Sequence, residues 1–295
     1  MFIRRLPAFE YFTPASATEA FNLMARYGDT GRFIAGGTDL LIAMKKREVA
    51  PGHLISLSGI ASLQGIIFDE KGGLAIGALT TLAEIERADI VKKQFLPLWD
   101  AVNVMASTQV KNLATIGGNL CSAVPSADTA PPLIAMNATL KLIGPAGERS
   151  IPVEDFFTGP RETIRRPDEI LASIIIPKLA AVSSGCYLKL MRRNAMDLAL
   201  VGVAACLRLD ADKKVCKEAR IALGAVAPTP IRVPEVEVLL INKAVDEKVI
   251  SEAARIAGMQ CRPITDIRAS LEYRCSMVEI LTKRAVMEAL RRIKG

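Results

Sequence analysis

Two double-glycine turns constrain the fold of this chain more than any other feature of its sequence. The first lies in RFIAGGTDLL at residues 32–41, and the second lies in ATIGGNLCS at residues 114–122. Each turn passes from an apolar run into a segment with helical spacing. Neither matches a Walker loop or a G-x-G-x-x-G fingerprint, so the common nucleotide motifs do not explain them.

Glycine at a corner between a strand and a helix permits a positive φ and lets the backbone approach a ligand closely. Free N–H groups at a helix start favour an anion. The turns also carry hydroxyl or amide neighbours, Thr38 at the first and Thr115 and Asn119 at the second. Together they predict a grip on the two phosphates of a dinucleotide, and a merely tight corner is the alternative for either turn alone. No lysine follows directly, which favours a ligand that is held rather than hydrolysed.

The composition is that of an ordinary globular protein. The chain has 295 residues, of which 51% are hydrophobic, so it can bury a core in two or three subdomains. The start, MFIRRLPAFEYF, is not followed by the apolar region of a secretory signal, and no uncharged run is long enough to span a bilayer. These features predict a cytoplasmic protein with no membrane span.

The net charge of +7 comes from lysines and arginines that are spread along the chain and are not interleaved with aromatic residues. This distribution predicts no nucleic-acid partner. A basic surface of this kind favours an acidic partner or an anionic cofactor.

Six cysteines are scattered through the chain without a C-x-x-C pair, and His53 is the single histidine. This pattern argues against a zinc site or an iron-sulfur cluster built from this chain alone. A Ser-His-Asp or Cys-His arrangement would have to use His53, which is at the start of a predicted strand. We therefore predict no catalytic residue and no metal ligand in this chain.

The pattern of elements changes near residue 179. Before it, strand-like segments alternate with helical ones, including a helix whose predicted capping box is Thr81 and Glu84. Beyond it, YLKLMRR, LALVGVAACLRLD and EARIALGAVAP follow one another as strands, and helical segments close the chain. Strands followed by helices predict an α+β domain with an antiparallel sheet.

Six motifs, in this order, resemble those of the FAD-binding medium subunit of molybdenum hydroxylases, the xanthine dehydrogenase and carbon monoxide dehydrogenase family. They are AGGTDLL, QVKNLATIGGNLCSAVPSADTAPPL, DEILASIIIP, YLKLMRRNAMDLALVGVAA, GAVAPTPIR and DIRASLEYR. The residues RRNAMDLA and TDLL resemble bacterial xanthine dehydrogenase subunits most closely. The resemblance implies an α+β fold in which a two-lobed FAD-binding domain of the vanillyl-alcohol-oxidase (PCMH) type precedes a C-terminal domain. The FAD domain would span residues 1–178, with lobes at about 1–55 and 56–178, and the C-terminal domain would span 179–295.

The resemblance also implies cofactor-binding residues. Around the two turns, the pyrophosphate and flavin would be held chiefly through backbone N–H groups by Phe33, Ile34, Ala35, Gly36, Gly37, Thr38, Asp39, Leu40, Thr115, Gly117, Gly118 and Asn119. Asp128 would contact the polar part of the cofactor, Leu171 would pack against it, and Lys189 would lie at the pyrimidine edge of the flavin. The alternatives are a helix cap for Asp128, ordinary core for Leu171 and a solvated strand face for Lys189.

The function implied by the resemblance is electron transfer within a complex. Electrons would pass from 2Fe-2S clusters of a small partner subunit to non-covalent FAD on this chain, and then to NAD⁺ or another acceptor. The molybdenum cofactor would belong to a large partner subunit. A self-contained flavin oxidoreductase of the same fold and a non-catalytic nucleotide-binding scaffold are the alternatives.

Overall fold

The computed structural model describes residues 5–295, so the first four residues of the predicted first lobe lie outside the described residues. The strands are β1 Glu10–Phe12, β2 Gly31–Ile34, β3 His53–Ser56, β4 Ile66–Asp69, β5 Gly73–Gly77, β6 Thr139–Gly144, β7 Gly147–Pro152, β8 Phe157–Gly159, β9 Glu162–Thr163, β10 Ile170–Ile176, β11 Ser183–Leu190, β12 Val201–Leu209, β13 Cys216–Gly224 and β14 Ile231–Arg232. The helices are α1 Ala17–Tyr27, α2 Leu40–Lys46, α3 Leu82–Arg87, α4 Asp89–Gln94, α5 Leu96–Val104, α6 Thr108–Lys111, α7 Ile116–Cys121, α8 Ala130–Ala135, α9 Pro234–Leu240, α10 Glu247–Gln260 and α11 Leu271–Lys294. The predicted α+β fold class is confirmed.

The first sheet is parallel and has the strand order β1-β3-β2. Helix α1 makes the crossover from β1 to β2, and its first turn is capped by the Ser16 hydroxyl, which accepts from the Glu19 N–H at 3.2 Å. Helix α2 makes the second crossover. The first glycine turn therefore follows the carboxyl end of a parallel strand, which is where open sheets of this kind bind ligands.

The second sheet is antiparallel, with the order β4-β5-β10-β6-β7, and helices α3 to α8 accompany it. The predicted capping box is present at the start of α3, where the Glu84 N–H donates to Thr81 Oγ1 and the Thr81 N–H donates to Glu84 Oε2. The second glycine turn opens α7, and α7 packs against β10.

The third sheet, β11-β12-β13-β14, is antiparallel, as the sequence of adjacent strands predicts. One face packs on α5 and α8, with Tyr187 and Ala204 in that core, and the other packs on α11, with Val203 and Ile221 in a second core. Because the sheet is covered on both faces, β12 is apolar along nearly its whole length instead of alternating. Among residues 5–295, no helix has the length and apolar character needed to cross a membrane.

A half-buried ion pair joins α11, the last helix, to α5 beside the second sheet. Arg292 Nη1 donates to Asp100 Oδ2 at 2.8 Å and to the Gly185 carbonyl at 2.9 Å, and the same Asp100 oxygen accepts from the Tyr187 N–H at 3.0 Å. We expect Arg292→Ala to lower the free energy of unfolding by about 2–3 kcal/mol, because it leaves a largely buried carboxylate without its cation.

Urea denaturation of the purified chain measures this effect. Arg291→Ala is the matched control, since Arg291 is 71% exposed and its ion pair is with Glu288 on the same helix. That substitution should change the unfolding free energy by less than about 1 kcal/mol. Equal losses in the two variants would show that the Asp100 contact contributes no special stability.

Candidate functional site

The two glycine turns touch each other through their backbones. A Cβ atom added at Gly36 would lie 1.8 Å from the carbonyl oxygen of Leu113, the residue just before the second motif. A Cβ at Gly117 would lie 2.7 Å from the carbonyl oxygen of Ala78 at the end of β5. No side chain fits at either position, so these glycines allow the first sheet, the second sheet and α7 to meet.

A cavity of about 380 Å³ lies where they meet. Its lining contains every predicted residue of the two turns and also Leu171: Phe33, Ile34, Ala35, Gly36, Gly37, Thr38, Asp39, Leu40, Thr115, Gly117, Gly118, Asn119 and Leu171. The size and the mixed apolar and polar lining are typical of a cofactor site. Other residues line it that the sequence did not single out, among them Arg32, Cys121, Ser122, Arg161, Arg165 and Glu169.

The first turn presents free backbone donors to this cavity. Among the described residues, the N–H groups of residues 36–40 have no backbone or side-chain acceptor. Gly37 has a φ of 70°, in the left-handed region, and Asp39 has right-handed helical angles. Successive N–H groups in such a turn form a concave site for an anion. This cradle fits the diphosphate of a dinucleotide.

The second turn differs, because its N–H groups are already used. The Gly117 N–H donates to the Ala78 carbonyl at 2.8 Å, and the Asn119 N–H donates to the Thr115 carbonyl at 3.0 Å. The Gly118 N–H donates to Thr115 Oγ1 at 3.0 Å, which makes Thr115 the cap of α7. The second turn therefore supplies a close backbone surface and the Asn119 side chain, whereas the free N–H groups come from the first turn.

Asn119 connects the second glycine turn to the segment that contains Asp128, another predicted site residue. Its Oδ1 accepts a hydrogen bond from Thr129 Oγ1 at 2.6 Å. Because the amide oxygen is occupied, the Nδ2 group of Asn119 is the part of the side chain that can donate to a ligand. Thr129 directly follows Asp128, so this hydrogen bond links the Asp128 segment to a residue of the cavity lining.

Asp128 and Lys189 lie together, outside the residues that line the cavity. Lys189 Nζ donates to Asp128 Oδ2 at 2.8 Å, and the Tyr187 hydroxyl donates to Asp128 Oδ1 at 2.8 Å. All three side chains are buried, so Asp128 pairs with Lys189 instead of capping α8, and Lys189 does not lie on a solvated face. Burial raises the pKa of Asp128, which Lys189 partly offsets.

Tyr187 was not predicted to belong to the site. Burial and the nearby Asp128 carboxylate raise its pKa well above the usual value, so the hydroxyl stays protonated and donates. Tyr187 and Lys189 are two residues apart on β11 and thus point to one face of the strand. The alternation of side chains along β11 could have linked Tyr187 to the predicted Lys189. Which face of β11 contacts Asp128, however, depends on how the strand packs in the tertiary structure.

Cys121 is a neutral thiol in the cavity lining. Burial raises its pKa, and the neighbouring Arg165 offsets only part of that effect. A protonated thiol is a poor nucleophile. The site therefore favours a ligand that is not covalently attached to this residue.

Glu169 is a buried carboxylate at the edge of the cavity, held by two arginines. Arg149 donates to both of its oxygens, at 2.8 and 2.9 Å, and Arg166 donates from its backbone N–H at 2.7 Å. The hydrogen bonds from Arg149 lower the pKa of Glu169 to about 2. Since the native pKa lies below the unfolded value of 4.5, these contacts stabilise the fold above pH 4.5 and are lost as the pH falls toward 2.

We therefore expect the unfolding free energy of the wild type to fall more steeply between pH 5 and pH 3 than that of Glu169→Gln, which cannot titrate. Urea denaturation at several pH values measures the two slopes. Glu148→Gln removes an exposed carboxylate on β7, next to Arg149 in the sequence, and should keep the wild-type slope. A Glu169→Gln slope equal to that of the wild type would contradict this account.

Within residues 5–295, no group of three or more His, Cys, Asp or Glu side chains is arranged to hold a metal ion. His53 is engaged elsewhere, since its ring stacks on Tyr27 at 3.9 Å and its Nδ1 lies 2.9 Å from Thr30 Oγ1. It is not among the cavity-lining residues.

Two family models match the chain. The first, described as the FAD binding domain in molybdopterin dehydrogenase, matches residues 7–179, and the second, the CO dehydrogenase flavoprotein C-terminal domain, matches residues 186–289. A putative xanthine dehydrogenase FAD-binding subunit from Escherichia coli is 32% identical over 281 residues, 95% of each chain. The carbon monoxide dehydrogenase medium chain of Hydrogenophaga pseudoflava is 34% identical and covers 96% of this chain and 97% of that protein.

Solved structures of the same family have the same fold as this chain. A chain of carbon monoxide dehydrogenase from Hydrogenophaga pseudoflava superposes with a TM-score of 0.94 at 34% identity, over 98% of this chain and 99% of that chain. Quinoline 2-oxidoreductase from Pseudomonas putida superposes with a TM-score of 0.91 at 30% identity, over 99% of this chain and 100% of that chain. The chain therefore belongs to the FAD-binding flavoprotein subunits of the molybdenum hydroxylases, the xanthine dehydrogenase and carbon monoxide dehydrogenase family of oxidoreductases.

Proposed function

We propose that this protein is the electron-transfer subunit of a molybdenum hydroxylase complex in the cytoplasm. It accepts electrons from 2Fe-2S clusters of a small partner subunit and delivers them to NAD⁺ or another acceptor, while a large partner subunit carries the molybdenum cofactor. The observation that carries the proposal is the cavity between the two glycine turns, with five consecutive free N–H groups at residues 36–40, in a chain of this family.

In this proposal the first turn holds the diphosphate of FAD through the N–H groups of residues 36–40. Gly117 and Gly118 form a surface without side chains that the cofactor can approach, and Asn119 donates from its amide. Leu171 supplies apolar contact. The FAD-binding part is assigned to residues 1–178 and the C-terminal domain to residues 179–295.

When bound, FAD supplies redox chemistry that can exchange either one or two electrons. The contribution of this chain is to place charge near the cofactor. The ammonium group of Lys189 donates to Asp128 Oδ2, and the hydroxyl of Tyr187 donates to Asp128 Oδ1. We place this pair at the pyrimidine edge of the flavin, beyond the residues that line the cavity, where a cation favours the anionic reduced form.

The purified chain should carry FAD that is released on denaturation. We expect acid or heat precipitation to leave the yellow colour in the supernatant, because the Cys121 thiol is protonated and His53 lies outside the cavity lining. Cys121→Ser should behave in the same way. Flavin that stays with the precipitated chain would contradict non-covalent binding, and a purified chain that neither carries nor takes up FAD would contradict the proposed function.

A further inference from the structure

A short hairpin, β8 and β9, brings two arginines to the cavity. It is tied to the loop that follows α7, because the Arg161 N–H donates to the Ala123 carbonyl at 2.8 Å. Arg161 is at the tip of the hairpin and Arg165 follows β9, and both line the cavity. The same loop also carries Arg166, which is not among the lining residues.

Arg165 is a fixed cation without an acidic partner. Its Nη1 donates to the carbonyl oxygens of Arg166 and Glu169, at 2.8 and 2.7 Å, so the guanidinium plane is anchored by backbone. Among residues 5–295 it makes no ion pair, since the Glu169 carboxylate is taken by Arg149 and Arg166. The Nε and Nη2 groups of Arg165 are left to donate to a ligand.

Arg161 lies in the two-residue turn between β8 and β9. Its φ of 65° suits such a tight hairpin turn. Its side chain is 64% exposed, and its ion pair with Glu48, just beyond α2, is long at 3.5 Å. Its guanidinium is therefore only weakly paired and can reach a ligand at the edge of the cavity.

We propose that Arg161 and Arg165 form a clamp that, together with the first glycine turn, binds the FAD diphosphate. This inference rests on the proposed FAD site. The N–H groups of residues 36–40 are neutral donors, whereas a diphosphate carries two negative charges. A guanidinium adds a formal charge and paired N–H donors that match phosphate oxygens. Among residues 5–295 no lysine lines the cavity, so the lining arginines provide its positive charge.

The test measures dissociation constants of the flavin-free full-length chain for FAD, by quenching of flavin fluorescence. Arg165→Gln and Arg161→Gln should each weaken FAD binding about tenfold, and the double variant about a hundredfold. Lys71→Gln is the control, since it removes an exposed cation from the turn between β4 and β5, outside the cavity lining, and it should bind FAD within about threefold of wild type. Arg165→Lys, which keeps the charge, should recover part of the loss.

Two further measurements separate phosphate recognition from damage to the cavity. FAD affinity should fall with rising salt in the wild type and fall less steeply in the double variant. Riboflavin, which has no phosphate, should bind the double variant as it binds the wild type. Unchanged FAD affinity in the double variant, or equal weakening of riboflavin and FAD, would overturn the clamp. Failure of the wild type to bind FAD would instead overturn the proposed function.

Discussion

Gly37→Val should purify without flavin while keeping its fold. Gly37 has a φ of 70°, which valine tolerates poorly, and a Cβ there would lie 3.2 Å from side-chain atoms of Ile34 and Leu41. The substitution therefore turns the N–H groups of residues 36–40 away from the position in the cavity where they would bind the diphosphate. Losing two or more hydrogen bonds to a charged phosphate should weaken FAD binding by at least about a hundredfold. Flavin absorbance per chain after gel filtration, with circular dichroism for the fold, measures both effects.

Gly118→Val should have the same result for a different reason. The nearest atom to an added Cβ at Gly118 is Thr115 Oγ1, at 2.9 Å, so the isopropyl group would displace the cap of α7 and narrow the cavity.

Gly147→Val is the control for both variants. Gly147 has a φ of 115° with nothing within 4 Å of an added Cβ, so it introduces comparable strain in a turn outside the cavity. It should keep its flavin. Full flavin content in both Gly37→Val and Gly118→Val would contradict the phosphate role of the turns.

The FAD-loaded chain by itself should not be reduced by a purine or another heteroaromatic substrate. Its six cysteines lack cluster spacing, and its single histidine is stacked on Tyr27 and bonded to Thr30. The imidazole of His53 is therefore already engaged outside the cavity lining and is not placed to take a proton from a substrate there. It should still exchange electrons with artificial dyes, since those reactions need only an accessible flavin.

Anaerobic stopped-flow measurement of bleaching of the flavin band is the decisive experiment. Addition of the 2Fe-2S and molybdenum subunits should restore bleaching by the substrate, with a gain of several orders of magnitude over the lone chain. Assembly should weaken as salt rises, because this chain is basic. If the substrate bleaches the flavin of the lone chain, the proposed role in electron transfer between subunits is wrong, and the self-contained flavin oxidoreductase is favoured.

The local pattern of the sequence was enough to predict most of the helices and strands. The Thr81 capping box, the apolar strand in LALVGVAACLRLD and the antiparallel third sheet are all as predicted. These features depend on residues a few positions apart, or on adjacent strands. The parallel position of β3 between β1 and β2 was not predictable in this way, because strand order depends on how the crossover helices pack.

The same division holds for the candidate site. The sequence by itself determined that two glycine turns exist and which neighbours they have, since glycine pairs and capping residues act locally. Only the tertiary structure decided that the first turn keeps its N–H groups free while the Ala78 carbonyl occupies the N–H of Gly117 in the second. It also decided that the β8–β9 hairpin brings Arg161 and Arg165 to the same cavity. Hydrogen-bond partners and cavity walls come from residues far apart in the chain, and only packing brings those residues together.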